Sequence, residues 1–148
     1  MLQAGANVNA SLDGDGSPLI AAAREGRIEL AQFLLQQGAD PNLGVEGDGS
    51  ALIAAAAAGH TNMVRLLLQS GADHDLVVPG DENPLIQASG EGHLPVVQLL
   101  VERGADVNAR VLVESYRGDP EWRTPLGMAI RGGHRDVAVY LRSVGARE

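Results

Sequence analysis

The stretch Gly38-Ala39-Asp40-Pro41-Asn42 decides the fold of this chain, because related segments return at a fixed distance from it. Gly71-Ala72-Asp73 and Gly104-Ala105-Asp106 follow at steps of 33 residues. Repetition with a period of about 20 to 50 residues indicates a solenoid, in which each unit buries its apolar face only by stacking on its neighbours. We therefore predict one elongated domain of stacked units.

The period divides the 148 residues into four units and a partial one. The predicted boundaries are 1–16 for the partial repeat, then 17–49, 50–82, 83–123 with an insertion at 111–121, and 124–148. The third unit is 41 residues long, 8 more than each of the two units before it. We expect that the chain starts within a repeat, as a truncated protein or one with a late start codon would.

Each unit carries signals for two helices and a turn. The first helix follows a residue type that caps helix starts, and Pro comes next in three units. These capping residues are Ser17, Ser50, Asn83 and Thr124. A glycine ends that helix, because only glycine adopts the left-handed conformation at low cost. These glycines are Gly26, Gly59, Gly92 and Gly133. Apolar residues at helical spacing predict a second helix, and the Gly- and Asp-rich remainder predicts a projecting turn or hairpin, called a finger below.

These units resemble ankyrin repeats. The resemblance rests on the opening Thr124-Pro125-Leu126, the Gly59-His60 turn, the apolar second helix, and Gly104 to Ala109 (GADVNA) before a finger. It implies an all-α fold, an ankyrin-repeat α-solenoid of stacked helix-turn-helix units with projecting β-turn fingers. One departure is that the family's opening His is replaced by Ile20, Ile53, Ile86 and Gly127. The hydrogen bonds which that His makes in the family are therefore not expected.

The resemblance also implies a non-catalytic module that binds a protein or peptide partner and needs no cofactor. In this family the partner contacts the finger tips and the concave side of the first helices. Carried onto this sequence, that surface includes Asp13, Gly14, Arg24, Glu25, Glu46, Glu82, Glu91 and Arg131. Many of its other positions are Gly or Ala, and such a smooth groove suits an extended or helical partner segment.

The insertion is the least regular part of the chain. Together with the two residues after it, it reads VLVESYRGDPEWR and contains Tyr116, Arg117, Trp122 and Arg123, of which Trp122 is the only tryptophan. Trp, Tyr and Arg dominate binding hot spots, and an insertion in one unit of a solenoid often lies on the binding face. This segment is therefore a candidate contact with the partner. The alternative is that Tyr116 and Trp122 pack the long finger onto the last units.

Charge limits the choice of partner. The net charge is −8, and residues 1–100 hold 12 acids but only 3 Arg. Nucleic-acid binding requires basic residues that neutralise phosphates, so a nucleic-acid partner is not expected. The repeated Gly47-Asp48 and Gly80-Asp81 precede helix starts, where we expect the acids to interact with free amides. With no apolar run of membrane-spanning length and no signal peptide in Met1 to Ala10, we expect no membrane insertion and take the cytoplasm as the default location.

Patterns for metal binding and catalysis are not predicted to be functional. His60, His93 and His134 recur once per unit, so stacking keeps them about 10 Å apart, too far to share a metal ion. Asp13 to Ser17 resembles the start of a calcium loop, but Arg24 stands at the twelfth position, where a Glu is needed. The sequence holds no HExxH, GxSxG or P-loop pattern. We therefore expect neither an enzyme nor a metal site.

Two alternative functions remain at this point. The runs GDENPLIQASGEGH and EWRTPL, with the closing GARE, resemble ankyrin tails of bacterial membrane-bound sensor metallopeptidases of the antirepressor type. Transmembrane helices and a zinc motif encoded upstream would establish this regulatory tail. A structural spacer without a dedicated ligand is the other alternative. We also expect self-association through Ile20, Ile28 and Leu30, because the first repeat lacks a capping helix.

Overall fold

The computed structural model describes residues 7–11 and 16–148, and these residues form eight helices and one two-stranded sheet. The first four helices are α1 (Pro18–Glu25), α2 (Ile28–Gln36), α3 (Ala51–Ala58) and α4 (Thr61–Gln69). They are followed by α5 (Pro84–Glu91), α6 (Leu94–Glu102), β1 (Val111–Glu114), β2 (Pro120–Arg123), α7 (Pro125–Arg131) and α8 (Arg135–Ser143). The predicted all-α solenoid is confirmed. Of the predicted partial repeat at 1–16, positions 1–6 and 12–15, including Asp13 and Gly14, lie outside the described residues.

The helices form two layers. The first helices of the units, α1, α3, α5 and α7, pack side by side, and each second helix packs on the first helix of its own unit. Helices of seven to nine residues are not stable alone in water, so burial against neighbours must stabilise them. Small side chains allow the close approach: Ala23, Ala55, Ala88 and Ala129 are completely buried in the first-helix layer.

The capping residues act as the sequence predicts. The side-chain oxygens of Ser17, Ser50, Asn83 and Thr124 accept hydrogen bonds from backbone amides three residues later, over 2.8–3.3 Å. The four glycines that were predicted to end the first helices all have positive φ. In the last unit the helix ends one residue early, at Arg131, and Gly132 precedes the left-handed Gly133.

The recurring histidines connect neighbouring units. The Nε2 atom of His93 donates a hydrogen bond to the carbonyl oxygen of Ala57 over 2.9 Å. His60 and His134 make the same bond to Arg24 and Gly90. Because a carbonyl oxygen can only accept, each ring carries its proton on Nε2. These residues therefore connect each unit to the end of the preceding first helix, which agrees with their prediction as repeated turn residues.

A second set of hydrogen bonds between neighbouring units joins the segments that follow the second helices. Asn42 Oδ1 accepts from the amide of Asp73 at 2.7 Å, and its Nδ2 donates to the carbonyl of Gly71 at 3.0 Å. Asn108 bridges to the last unit in the same way. The equivalent residue of the second unit is Asp75, which accepts from Asp106 but has no amide to donate. These bonds hold successive units in register.

The apolar face predicted at the start of the stack is mostly covered in the structure. Ile20 is 1% exposed, and Ile28 and Leu30 are partly buried against the core. The prediction that Ile20 is exposed is therefore wrong. Its side chain packs against Gly16, where a Cβ would come within 3.1 Å of it.

Candidate partner-binding surface

The insertion forms an antiparallel hairpin, β1–β2. Val111 pairs with Arg123, and Leu112 pairs with Trp122. Side chains alternate between the two faces of a strand, so Val111 and Arg123 point towards the repeats while Leu112 and Trp122 point away from them. The hairpin extends the third finger as a ribbon with two different faces.

The turn of the hairpin is closed by backbone hydrogen bonds. The amide of Ser115 donates to Asp119 at 2.9 Å, and Gly118 has a φ of +84°, which suits glycine. Tyr116 lies at the tip and is fully exposed. Its ring contributes nothing to packing the finger down, so this part of the packing alternative is wrong.

The outward face carries an exposed apolar pair. Leu112 is 52% exposed and Trp122 is 56% exposed, although they lie directly opposite each other. The guanidinium carbon of Arg110 lies 4.8 Å from the centroid of the Trp122 ring, a cation–π contact. Trp122 therefore contacts Arg110 and leaves more than half of its surface exposed, so it is not a buried staple of the finger.

The inward face is held by a chain of ion pairs. Arg123 contacts Glu82 through Nη1, and its Nε lies 3.8 Å from Glu121 Oε1. Glu121 Oε1 also contacts Arg131 of α7. The Glu82 side chain is only 5% exposed. The structure therefore corrects the prediction of Glu82 as an exposed contact residue: it is a buried partner of Arg123, and Arg123 in turn anchors the hairpin to the stack.

A cleft lies between the hairpin and the end of α7. Its volume is about 360 Å³, and its lining residues are Ser115, Tyr116, Arg117, Glu121, Arg123 and Arg131. Four of the ten residues predicted as partner contacts thus lie together here. Arg131 remains about half exposed despite its contact with Glu121. The cleft therefore combines three guanidinium groups with one carboxylate.

A second cleft, of about 360 Å³, lies on the face of the first helices. Arg24 and Glu91, both predicted contacts, line it together with Asp48, Asp81 and the small side chains of α3. Arg24 pairs with Asp48 at 3.2 Å. We call this cleft the acidic groove, because three carboxylates and one guanidinium surround it.

Asp81 has an unusual environment in the acidic groove. Burial raises the pKa of its carboxyl above the ordinary value of 3.8, and the neighbouring charge of Asp48 raises that pKa further, while bonds from the amides of Gly49 and Gly47 oppose the shift. Asp48 thus pairs with Arg24 of its own unit, while Asp81 reaches back to the finger of the preceding unit. Neither acid serves the following helix start, as the sequence had suggested. Asp15, the acid at the same place before Ser17, lies outside the described residues.

Two predicted contacts lie apart from both clefts. Glu25 is exposed at the end of α1, 3.9 Å from Arg27. Glu46 is exposed in the tight finger turn that Val45 and Gly49 close. Sequence reasoning did not identify Gln87 or Glu121 as residues of the surface. The two-residue spacing of Glu121 and Arg123 was a usable signal, because strand neighbours at that spacing share a face.

Comparison with protein families identifies the fold class. A family model described as Ankyrin repeats (3 copies) matches residues 19–111, and one described as Ankyrin repeats (many copies) matches residues 85–142. The chain belongs to the ankyrin repeat family. Proteins of this family generally mediate protein–protein interactions and are typically non-catalytic. A search of curated proteins finds no match to the chain.

Membrane-spanning helices and metal-binding clusters are both absent from the described part of the chain. Within 7–11 and 16–148, no helix has both the length and the apolar character needed to span a membrane. The same residues contain no group of three or more His, Cys, Asp or Glu side chains arranged to hold a metal ion. The largest groups of charged side chains described above are the ion-pair chain at the hairpin and the acidic groove.

Proposed function

We propose that this chain is a non-catalytic interaction module that binds a protein or peptide segment across the hairpin and the acidic groove. The observation that carries the proposal is the exposed pair of Leu112 and Trp122 on the outward face of the hairpin. Burying such a pair against a partner removes apolar surface from water, which favours association. Arg110 holds the Trp122 ring before binding, which reduces the entropy lost on complex formation.

The acidic groove supplies the second contact area. Its floor consists of the small side chains of α3, and its walls carry Asp48, Asp81 and Glu91. Such a groove accommodates the backbone of an extended or helical segment, with basic side chains near the walls. The hairpin, which contacts the third and fourth units, then acts as an apolar anchor next to the groove.

A peptide-display selection tests this function. Peptides selected on the wild-type chain are measured by calorimetry against Trp122→Ala, Leu112→Ala and Phe33→Ala variants. Phe33 is the matched control, because it is an exposed aromatic residue on α2, away from both clefts. We expect Trp122→Ala to weaken binding about tenfold or more, as at interface hot spots, and Phe33→Ala to leave it unchanged.

Two outcomes contradict the proposal. If Trp122→Ala and Phe33→Ala bind the selected peptides as tightly as the wild type, the hairpin is not the anchor. If repeated selections yield no peptide that binds the wild-type chain, a structural spacer explains the protein better. Circular dichroism of each variant confirms that the loss of binding does not come from unfolding.

A further inference from the structure

We propose that the cleft between the hairpin and α7 is a receptor for a carboxylate side chain of the partner segment. This inference rests on the proposed function and adds the chemistry of one contact to it. The cleft presents Arg117, Arg123 and Arg131 to a space of about 360 Å³. Guanidinium groups recognise carboxylates through parallel N–H donors, so three of them around one opening select an anionic group.

Glu121 shows that a carboxylate fits this cleft. Its Oε1 atom contacts Arg131 Nη2 and lies 3.8 Å from Arg123 Nε. The side chain belongs to β2, next to the opening, and so it occupies the position that a partner carboxylate would share or take over. In the free chain Glu121 acts as an internal substitute for the ligand.

The cleft holds more guanidinium N–H donors than the Glu121 carboxylate contacts. Among the described residues, no carboxylate lies within ion-pair distance of the Arg117 guanidinium, and Arg131 is about half exposed. Glu82 neutralises Arg123 from the buried side and does not line the cleft. The Arg117 guanidinium and the exposed part of the Arg131 guanidinium therefore remain open to an incoming carboxylate.

The surrounding charge makes this contact specific. The chain as a whole carries a net charge of −8, and the acidic groove would repel an acidic segment. An acidic group is accepted only at the hairpin end, while basic groups are favoured near the groove. A segment with an Asp or Glu at its hairpin end would therefore bind in one direction only.

Acetate is the probe that tests the cleft without a partner. Sodium acetate is titrated into the intact wild-type protein against sodium chloride at equal ionic strength, and the Nε–H resonances of the arginines are followed by NMR. We expect the resonances of Arg117 and Arg131 to shift in a saturable manner with acetate. Arg135, which is exposed on α8 outside this cleft, is the matched control and is expected to shift no more than it does with chloride.

The Glu121→Gln variant separates a receptor from a purely structural ion pair. Removing the internal carboxylate is expected to lower the acetate concentration needed for half the shift by about two- to fivefold, the range that an exposed ion pair carries. Arg131→Gln is expected to abolish the saturable shift at Arg117. If Arg117 and Arg131 in the wild type respond no more than Arg135, or if Glu121→Gln leaves the midpoint unchanged, the inference is wrong.

The two proposals can fail separately. The acetate titration needs no partner, so it stands even if the peptide selection yields nothing. Conversely, peptides that depend on Trp122 but carry no acidic residue at a constant position would support the interaction module and overturn the carboxylate contact.

Discussion

At the scale of single residues, the glycine at the end of each of the first three first helices lies close to the histidine ring of the next unit. Gly59 has a φ of +76°, and a Cβ placed there would lie 2.6 Å from His93 Nδ1. Position 59 thus needs glycine for two reasons. Its φ is positive, and the His93 ring leaves no room for a Cβ atom. Gly71 also has a positive φ, of +94°, but nothing lies within 4 Å of the Cβ position. The two glycines therefore separate the steric effect from the conformational one.

We predict that Gly59→Ala lowers the free energy of unfolding by more than Gly71→Ala does. The Gly71 variant meets only the cost of a left-handed alanine, about 1–2 kcal/mol. The Gly59 variant must also displace the His93 ring, which weakens its bond to Ala57. Urea unfolding followed by circular dichroism measures both changes. Equal losses for the two variants would show that the histidine ring moves aside without cost.

A prediction for pH dependence follows from Asp81. Its pKa is raised in the folded chain above the ordinary value of 3.8, so the folded state binds the proton more tightly than the unfolded state does. This group's contribution to stability therefore falls as the pH rises from 3.8 through the raised pKa. Asp81→Asn, which keeps an oxygen for the amides of Gly47 and Gly49, should raise the free energy of unfolding near neutral pH. The gain should disappear below pH 3.8.

Urea unfolding of the Asp81→Asn variant across this pH range measures whether the free energy of unfolding rises near neutral pH. Glu46→Gln is the control, since it removes an exposed carboxylate from a neighbouring finger. A stability gain that is the same at every pH would mean that the Asp81 charge is not its cause.

At the scale of elements, the helix ends were predictable from the sequence, and the direction of the hairpin side chains was not. Caps such as Ser50 and terminators such as Gly59 are local signals, so the ends of most helices follow from the sequence. The insertion gave only its position and its unusual side chains. Whether Trp122 turns inward or outward depends on the strand register, which is set by the pairing of Arg123 with Glu82, 41 residues earlier in the chain. Such a distant contact leaves no local pattern.

We predict that Arg123→Gln destabilises the protein by about 3 kcal/mol, because it leaves the buried carboxylate of Glu82 without its partner. The double variant with Glu82→Gln should recover much of that loss, since it removes the buried charge. Arg117→Gln, at the exposed hairpin tip, should change the free energy of unfolding by less than about 0.5 kcal/mol. Urea unfolding of the wild type, Arg123→Gln, Glu82→Gln and the double variant completes the cycle, and Arg117→Gln is measured beside them as the control. A double variant that is no more stable than Arg123→Gln would contradict the ion-pair explanation.

At the scale of the whole molecule, the stack has two chemically different regions. Carboxylates from the first three units line the acidic groove, while arginines surround the hairpin cleft near the last unit. The sequence already showed this asymmetry, because residues 1–100 hold only 3 of the 11 arginines. It did not show that Arg117, Arg123 and Arg131 converge, since the hairpin and α7 meet only in the folded chain. The charge balance of a region can thus be predicted from the sequence. The clefts in which its charged side chains meet cannot, because they form only in the folded chain.

The end of the stack provides the last prediction. Ile130 and Val139, on α7 and α8, are 42% and 57% exposed. In a solenoid such a face is normally buried by the next unit. We therefore expect concentration-dependent self-association through this end, which Val139→Arg should abolish.

Phe33→Arg tests the opposite end, where self-association was first expected. Light scattering over a concentration series measures both, and a strict monomer at the highest concentration would contradict the prediction. Loss of association with Phe33→Arg alone would instead place the contact near α2, where Ile28 and Leu30 are only partly buried.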